Sequence, residues 1–295
     1  MRSLRVLALS ALCIWPAASQ QPPAVFEKPF PADQLEFLNQ FAGAQSGDLI
    51  RDKQFRKLMH AALPDCMFHY GHDMPLTEAI HTVINGSTIP VRIRDGRYLT
   101  LSGHSGPYLA GRGFIWIDLQ DGIVLGGFYF HPTNGEPTPA VNVFSRQVKE
   151  DSSVKSLNIT QLRKPFIDDL NLWSAESRVP PITTRYFITG SNKKILLEHD
   201  EDYCAVPPGA PAPPVTVCER MNADAADIDL TAAYYLEQTG HATNSTAWMI
   251  GPDQVAWLRF RDTTCSAGPD LLGCRIRLTR EHTRVIIGRT SVPHR

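Results

Sequence analysis

No stretch of this chain stays apolar for the roughly eighteen residues that a membrane-crossing helix needs, so no transmembrane helix is expected. Neither sign of charge dominates: 29 Lys and Arg against 30 Asp and Glu leave a formal net charge of -1, which excludes the basic footprint of a nucleic-acid-binding protein. No His-Glu-x-x-His run, no paired Cys-x-x-Cys spacing and no internal repeat is present. No cofactor is therefore expected, and the chain reads as non-enzymatic. Cysteine is scarce, at six in 295 residues, but its distribution is uneven.

The apolar fraction of 43% and the charged fraction of 20% are those of a globular protein with room for two cores. The start is distinct. Arg2 and Arg5 precede an apolar run from Val6 to Trp15, and Pro16-Ala17-Ala18-Ser19 offers the small residues of a cleavage site. Residues 1–19 read as a secretory signal peptide, which predicts an exported protein, periplasmic or secreted. Cys13 leaves with it. In an oxidising compartment the remaining Cys66, Cys204, Cys218, Cys265 and Cys274 default to two disulfides and one odd thiol. Four of the five crowd the last third, and three pairings of those four are open.

Residues 24–203 carry a hairpin-rich pattern. Helices are expected over Pro31–Phe41, from Gly47 to Pro64 and over Leu76–Ile84. The period then changes to two around Asp95-Gly96 and again around Asp121-Gly122, the strongest short hairpin signal. A strand over Val141–Phe144, a helix from Thr160 to Ser174 and a third hairpin (Arg185–Ile188 with Ile195–Leu197) complete a mainly antiparallel α+β domain. Acidic residues Glu198 to Asp202 close it. Residues 204–216, rich in proline, read as a linker. Residues 217–295 read as a small all-α module pinned by disulfides, with helices over Met221–Gln238, Asp253–Cys265 and Gly273–Ile287. In the last of these, Cys274, Leu278, His282 and Val285 form the expected inward stripe.

Gln254, Trp257, Arg261 and Cys265 recur at helical spacing, an unusual face for an aliphatic core. The guanidinium is expected to stack on the indole and bind a carboxylate or a helix end, with a partner-facing role as the alternative. Cys66-x-x-His69-x-x-His72 with His104 is the only metal-like set, and loop-forming residues between them argue for ordinary histidines.

The helical module resembles the family named for the lysozyme inhibitor LprI, exported bacterial domains with a four-cysteine pattern. Asp227-Ile-Asp-Leu230-Thr-Ala-Ala-Tyr234, Gln254-x-x-Trp257-x-x-Phe260-Arg261-Asp262-x-x-Cys265 and Cys274-x-x-x-Leu278-Thr279 carry the resemblance, over about residues 204–286. Cys218 falls where the family has its second cysteine and Cys204 can serve as the first. Thr231 stands where the family has Asn, and His282 where it has Arg. The resemblance implies a non-enzymatic protein-binding module, with lysozyme of the cell envelope as the nearest partner. The other reading makes the hairpin domain an enzyme or metal-binding unit and the helices an accessory.

Overall fold

The first apolar stretch does not form the expected α-helix. In a computed structural model, which describes residues 25–105, 111–130, 139–149, 154–205, 213–241 and 251–289, it is two 3₁₀ segments, Ala32–Gln34 and Glu36–Phe41. The reason is visible in the spacing. Leu35, Leu38 and Phe41 recur every third residue, which matches three residues per turn. The leader 1–19 and most of the proline-rich segment lie outside the described residues.

The expected second helix is also divided, into α1 (Ser46–Arg51) and α2 (Lys53–Ala62). Asp52 leaves helical geometry between them and caps α2 by accepting the Phe55 N–H at 2.9 Å. A short hairpin follows where a loop is expected, β1 (Met67–Tyr70) and β2 (His72–Pro75), and then α3 (Leu76–Ile84). Gly71, at φ 80°, makes that turn.

The main sheet begins with β3 (Arg92–Arg94) and β4 (Tyr98–His104), joined where Asp95 and Gly96 both take positive φ. Next come β5 (Arg112–Asp118) and β6 (Ile123–Phe130), joined at Gly122, where a Cβ would meet the Phe30 carbonyl oxygen at 1.9 Å. The remaining strands are β7 (Ala140–Phe144), β8 (Ser156–Asn158), β9 (Thr184–Ile188) and β10 (Lys194–Glu198). Between β8 and β9 lies α4 (Lys164–Glu176), with proline in its first turn. All eight strands form one sheet in the order β3-β4-β5-β6-β7-β9-β10-β8. Pairing is antiparallel except between β7 and β9 and between β10 and β8.

Both sheet faces are covered, which explains why β5, β6, β7 and β9 are buried almost throughout and do not alternate. Val143, Phe187 and Ile195 pack with Phe166, Leu170 and Trp173 of α4 on one face. On the other, Phe128, Phe130 and Phe144 pack with α1–α3 and the small hairpin. The rest of that second face, at Ala140, Tyr186 and Leu196, is covered by the C-terminal helices through Leu230, Ala233 and Ile286. Those helices are α5 (Val215–His241), α6 (Pro252–Ser266) and α7 (Leu271–Arg289). The architecture is thus α+β, a mainly antiparallel sheet followed by a disulfide-bearing helical region. α5 starts at Val215, earlier than Met221, the expected start of that helix.

Candidate functional site

Asp227, Trp257, Arg261, Asp262 and Thr279 meet where α5, α6 and α7 cross. Arg261 on α6 is only 3% exposed, and its guanidinium reaches all three helices. It donates to Asp227 on α5, to the Thr279 hydroxyl on α7 at 3.0 Å, and to its neighbour Asp262 at 2.9 Å. Arg275 on α7 binds the other oxygen of Asp227 at 2.8 Å, so one carboxylate holds two guanidinium groups. The Arg261 guanidinium carbon also lies 5.5 Å from the Trp257 ring centre.

His282 lies flat on Trp257, with ring centres 4.1 Å apart and planes at 4°, and its Nε2 is 2.9 Å from the Tyr234 hydroxyl. His282 thus completes an aromatic stack on Trp257. Thr231 bonds back to the Asp227 carbonyl oxygen at 2.9 Å within its own helix. Leu230 and Gln254 are buried as well.

The inward stripe of α7 differs from the expected one. Thr279, Thr283 and Ile286 are buried, whereas Val285 is exposed. Two threonines can occupy the interior because their hydroxyls are satisfied locally: Thr283 donates to the Thr279 carbonyl oxygen at 2.9 Å, and Thr279 accepts from Arg261. The helix is rotated to bring these hydroxyls in, and Val285 turns out.

The disulfides join sequence neighbours. Cys265–Cys274 clamps the α6–α7 turn, and Cys204–Cys218 ties the segment after β10 to the start of α5. That segment is more than the acidic border expected from its composition. His199 is buried, and both its backbone N–H and its Nδ1 engage Asp229 of α5, at 2.8 and 2.7 Å. Asn222 of α5 accepts the Tyr203 N–H and donates to Asp202, each at 2.9 Å. Glu201 pairs with the buried Arg185 of β9, and Asp200 with Arg280 of α7. Burial pushes the Tyr203 phenol up to about 12. The run Glu198 to Asp202 is thus a latch between sheet and helices, and its carboxylates are largely spent internally.

α6 also turns two large apolar side chains outward, beside the exposed Asp253, Arg259 and Asp262. Phe260 is 58% exposed, and Val255 is exposed on the same helix. Phe260 belongs to the motif, yet its side chain is not part of the three-helix core, unlike Trp257 and Arg261.

The metal-like set does not assemble. His69 and His72 sit on opposite strands of the small hairpin, where Tyr70 faces His72 and His69 faces Asp73. Strand alternation sends the two imidazoles to different faces. His69 instead bonds Asp73 at 2.8 Å, and His104 ends β4 opposite Arg112. Among the described residues no three metal-ligating side chains converge. Cys66 is the one free cysteine among them, and burial raises its thiol to about 11. Half-buried, it is expected to react slowly with iodoacetamide at pH 7.5 in the folded state and fully in denaturant; labelling of the folded protein as fast as of the denatured chain would contradict the raised pKa.

Compared with known proteins, the chain matches no family model, no curated protein and no solved structure. Its chemistry must be read from its own residues. Among the described residues no helix is long and apolar enough to cross a membrane.

Proposed function

We propose that this chain is an exported, non-enzymatic binding protein whose C-terminal helices form an LprI-like module that engages a protein partner, with lysozyme as the nearest candidate. The observation that carries the reading is Phe260. A large aromatic side chain held in solvent on a helix clamped by Arg261 and Cys265–Cys274 is a preorganised anchor of the kind that dominates protein interfaces. Charge adds little. Residues 217–295 hold nine acidic and nine basic side chains, and the acidic latch is already engaged. Recognition of a basic lysozyme would therefore rest on shape and apolar contact.

The test is a lysozyme turnover assay with the purified, oxidised protein. Inhibition is expected at micromolar protein, with the concentration needed rising at least tenfold in Phe260→Glu and inhibition lost on reduction. Undiminished turnover at micromolar protein would sink the lysozyme assignment.

A further inference from the structure

Strand alternation sends two neighbouring sulfur side chains, Cys66 and Met67, to opposite sides of the small hairpin. Phe68 and Tyr70 of β1 face inward and set their rings against Phe128 of β6, with centres 5.9 and 5.4 Å apart. Cys66 shares their parity and packs against the same core. Met67 has the other parity. It is 63% exposed, and the residue paired with it on β2, Pro75, is exposed too.

The other sulfurs among the described residues are withdrawn in one way or another. Met59 on α2 and Met74 on β2 are each 4% exposed and belong to the core, and Met221 on α5 is partly buried. Cys204, Cys218, Cys265 and Cys274 are held in disulfides. Met1 and Met249 lie outside the described residues.

A free thiol ordinarily oxidises ahead of a thioether, but it reacts through its thiolate. Burial raises the Cys66 thiol to about 11, which leaves about one thiolate in ten thousand at pH 7. A thioether has no proton to lose, so its sulfur lone pair is available at any pH and access sets the rate. Exposure and parity therefore invert the usual order.

We propose that Met67 is an oxidation site, the first sulfur among the described residues to react with hydrogen peroxide. Its Sδ lone pair attacks one peroxide oxygen, so an S–O bond forms as the O–O bond breaks. The departing hydroxide removes the proton from the sulfur-bound oxygen and leaves as water. Sulfur gives up two electrons and the peroxide takes them, and the product is methionine sulfoxide. The new polar oxygen stands in solvent at Met67, whereas at Met59 or Met74 it would sit unpaired in the core. The site belongs to the small hairpin and not to the helical module, so it stands or falls independently of Phe260.

The test treats the full chain, disulfides intact, with hydrogen peroxide at pH 7 and locates each added oxygen by fragment-ion mass spectrometry. Met67 should gain oxygen at least tenfold faster than Met59 and Met74, and ahead of Cys66 and Met221. In denaturant the thioethers should react at similar rates. Between pH 7 and pH 9 the Met67 rate should stay level while Cys66 oxidation climbs about tenfold per unit. The singly oxidised protein should keep the parent's thermal midpoint. Met67→Leu should fold like the parent by circular dichroism and lack the early oxygen uptake at the described sulfurs. Oxidation of Cys66 before Met67 at pH 7, or of Met59 or Met74 as fast as Met67 in the folded chain, would overturn the proposal.

Discussion

Arg261→Ala should destabilise the helical region by about 3 kcal/mol, the lower end of the range for breaking a buried ion pair. The figure sits low because Asp227 is one-third exposed and keeps Arg275 as a second counter-ion. The loss has three parts. Asp227 on α5 surrenders its link to α6, the Thr279 hydroxyl loses its donor in the interior, and Trp257 loses the guanidinium beside its ring. Arg261→Lys should recover only part of it, since an ammonium cannot reach Asp227, Thr279 and Asp262 from one rigid fork. Denaturant midpoints of the oxidised proteins, followed by far-ultraviolet circular dichroism, read the order parent, then Lys, then Ala. An Ala variant within experimental error of the parent would mean that Arg261 does not hold the helices together.

The same residue shows what a sequence can disclose. Arg261 and Trp257 fall four residues apart in a helical period, so their stacking follows from local geometry. Its partners Asp227 and Thr279 lie 34 and 18 residues away, and nothing in the period of any one helix selects them. The hairpins at Asp95-Gly96 and Asp121-Gly122 were legible for a similar local reason, the demand of a tight turn for positive φ. Local rules also misled. Leu35, Leu38 and Phe41 satisfy a helical template but fit a three-residue turn better. Val285 matched the apolar period of α7, yet two threonines with satisfied hydroxyls took the interior. The latch was hidden because His199 stands among four acidic residues, a composition that suggests a solvated border. Only the position of Asp229 on α5, thirty residues on, turns it into a buried joint.

Asp118 is the second position where a single change should be severe. Its carboxylate, wholly buried at the end of β5, accepts from Arg97 through two bonds of 2.8 Å and from Arg163 at 3.1 Å. It also accepts the backbone N–H groups of Gln120 and Asp121, each at 3.1 Å, in the turn that leads to β6. Arg97 sits in the β3–β4 turn and Arg163 caps α4, so one side chain joins two hairpins to a helix. Burial alone would raise its pKa. Hydrogen bonds from Arg97 and the Asp121 N–H, with the charges of Arg97 and Arg163, outweigh burial and hold the carboxyl below the usual aspartate value. Because the folded pKa lies below the unfolded value of about 3.9, the unfolded chain binds the proton more readily. The resulting stability is fully present above about pH 4 and is lost as pH falls through the lower folded pKa. Asp118→Ala should cost about 3–4 kcal/mol at pH 7, since Asp121 alone then faces both half-buried arginines and two turn N–H groups lose their acceptor. Asp118→Asn keeps the shape and removes the charge, so its deficit should be smaller at pH 7 and should narrow progressively below pH 4. Denaturant titrations of the parent and the Asn variant between pH 7 and pH 2.5 check the sign: a deficit that stays constant or widens on acidification would show that the carboxylate charge does not stabilise this joint.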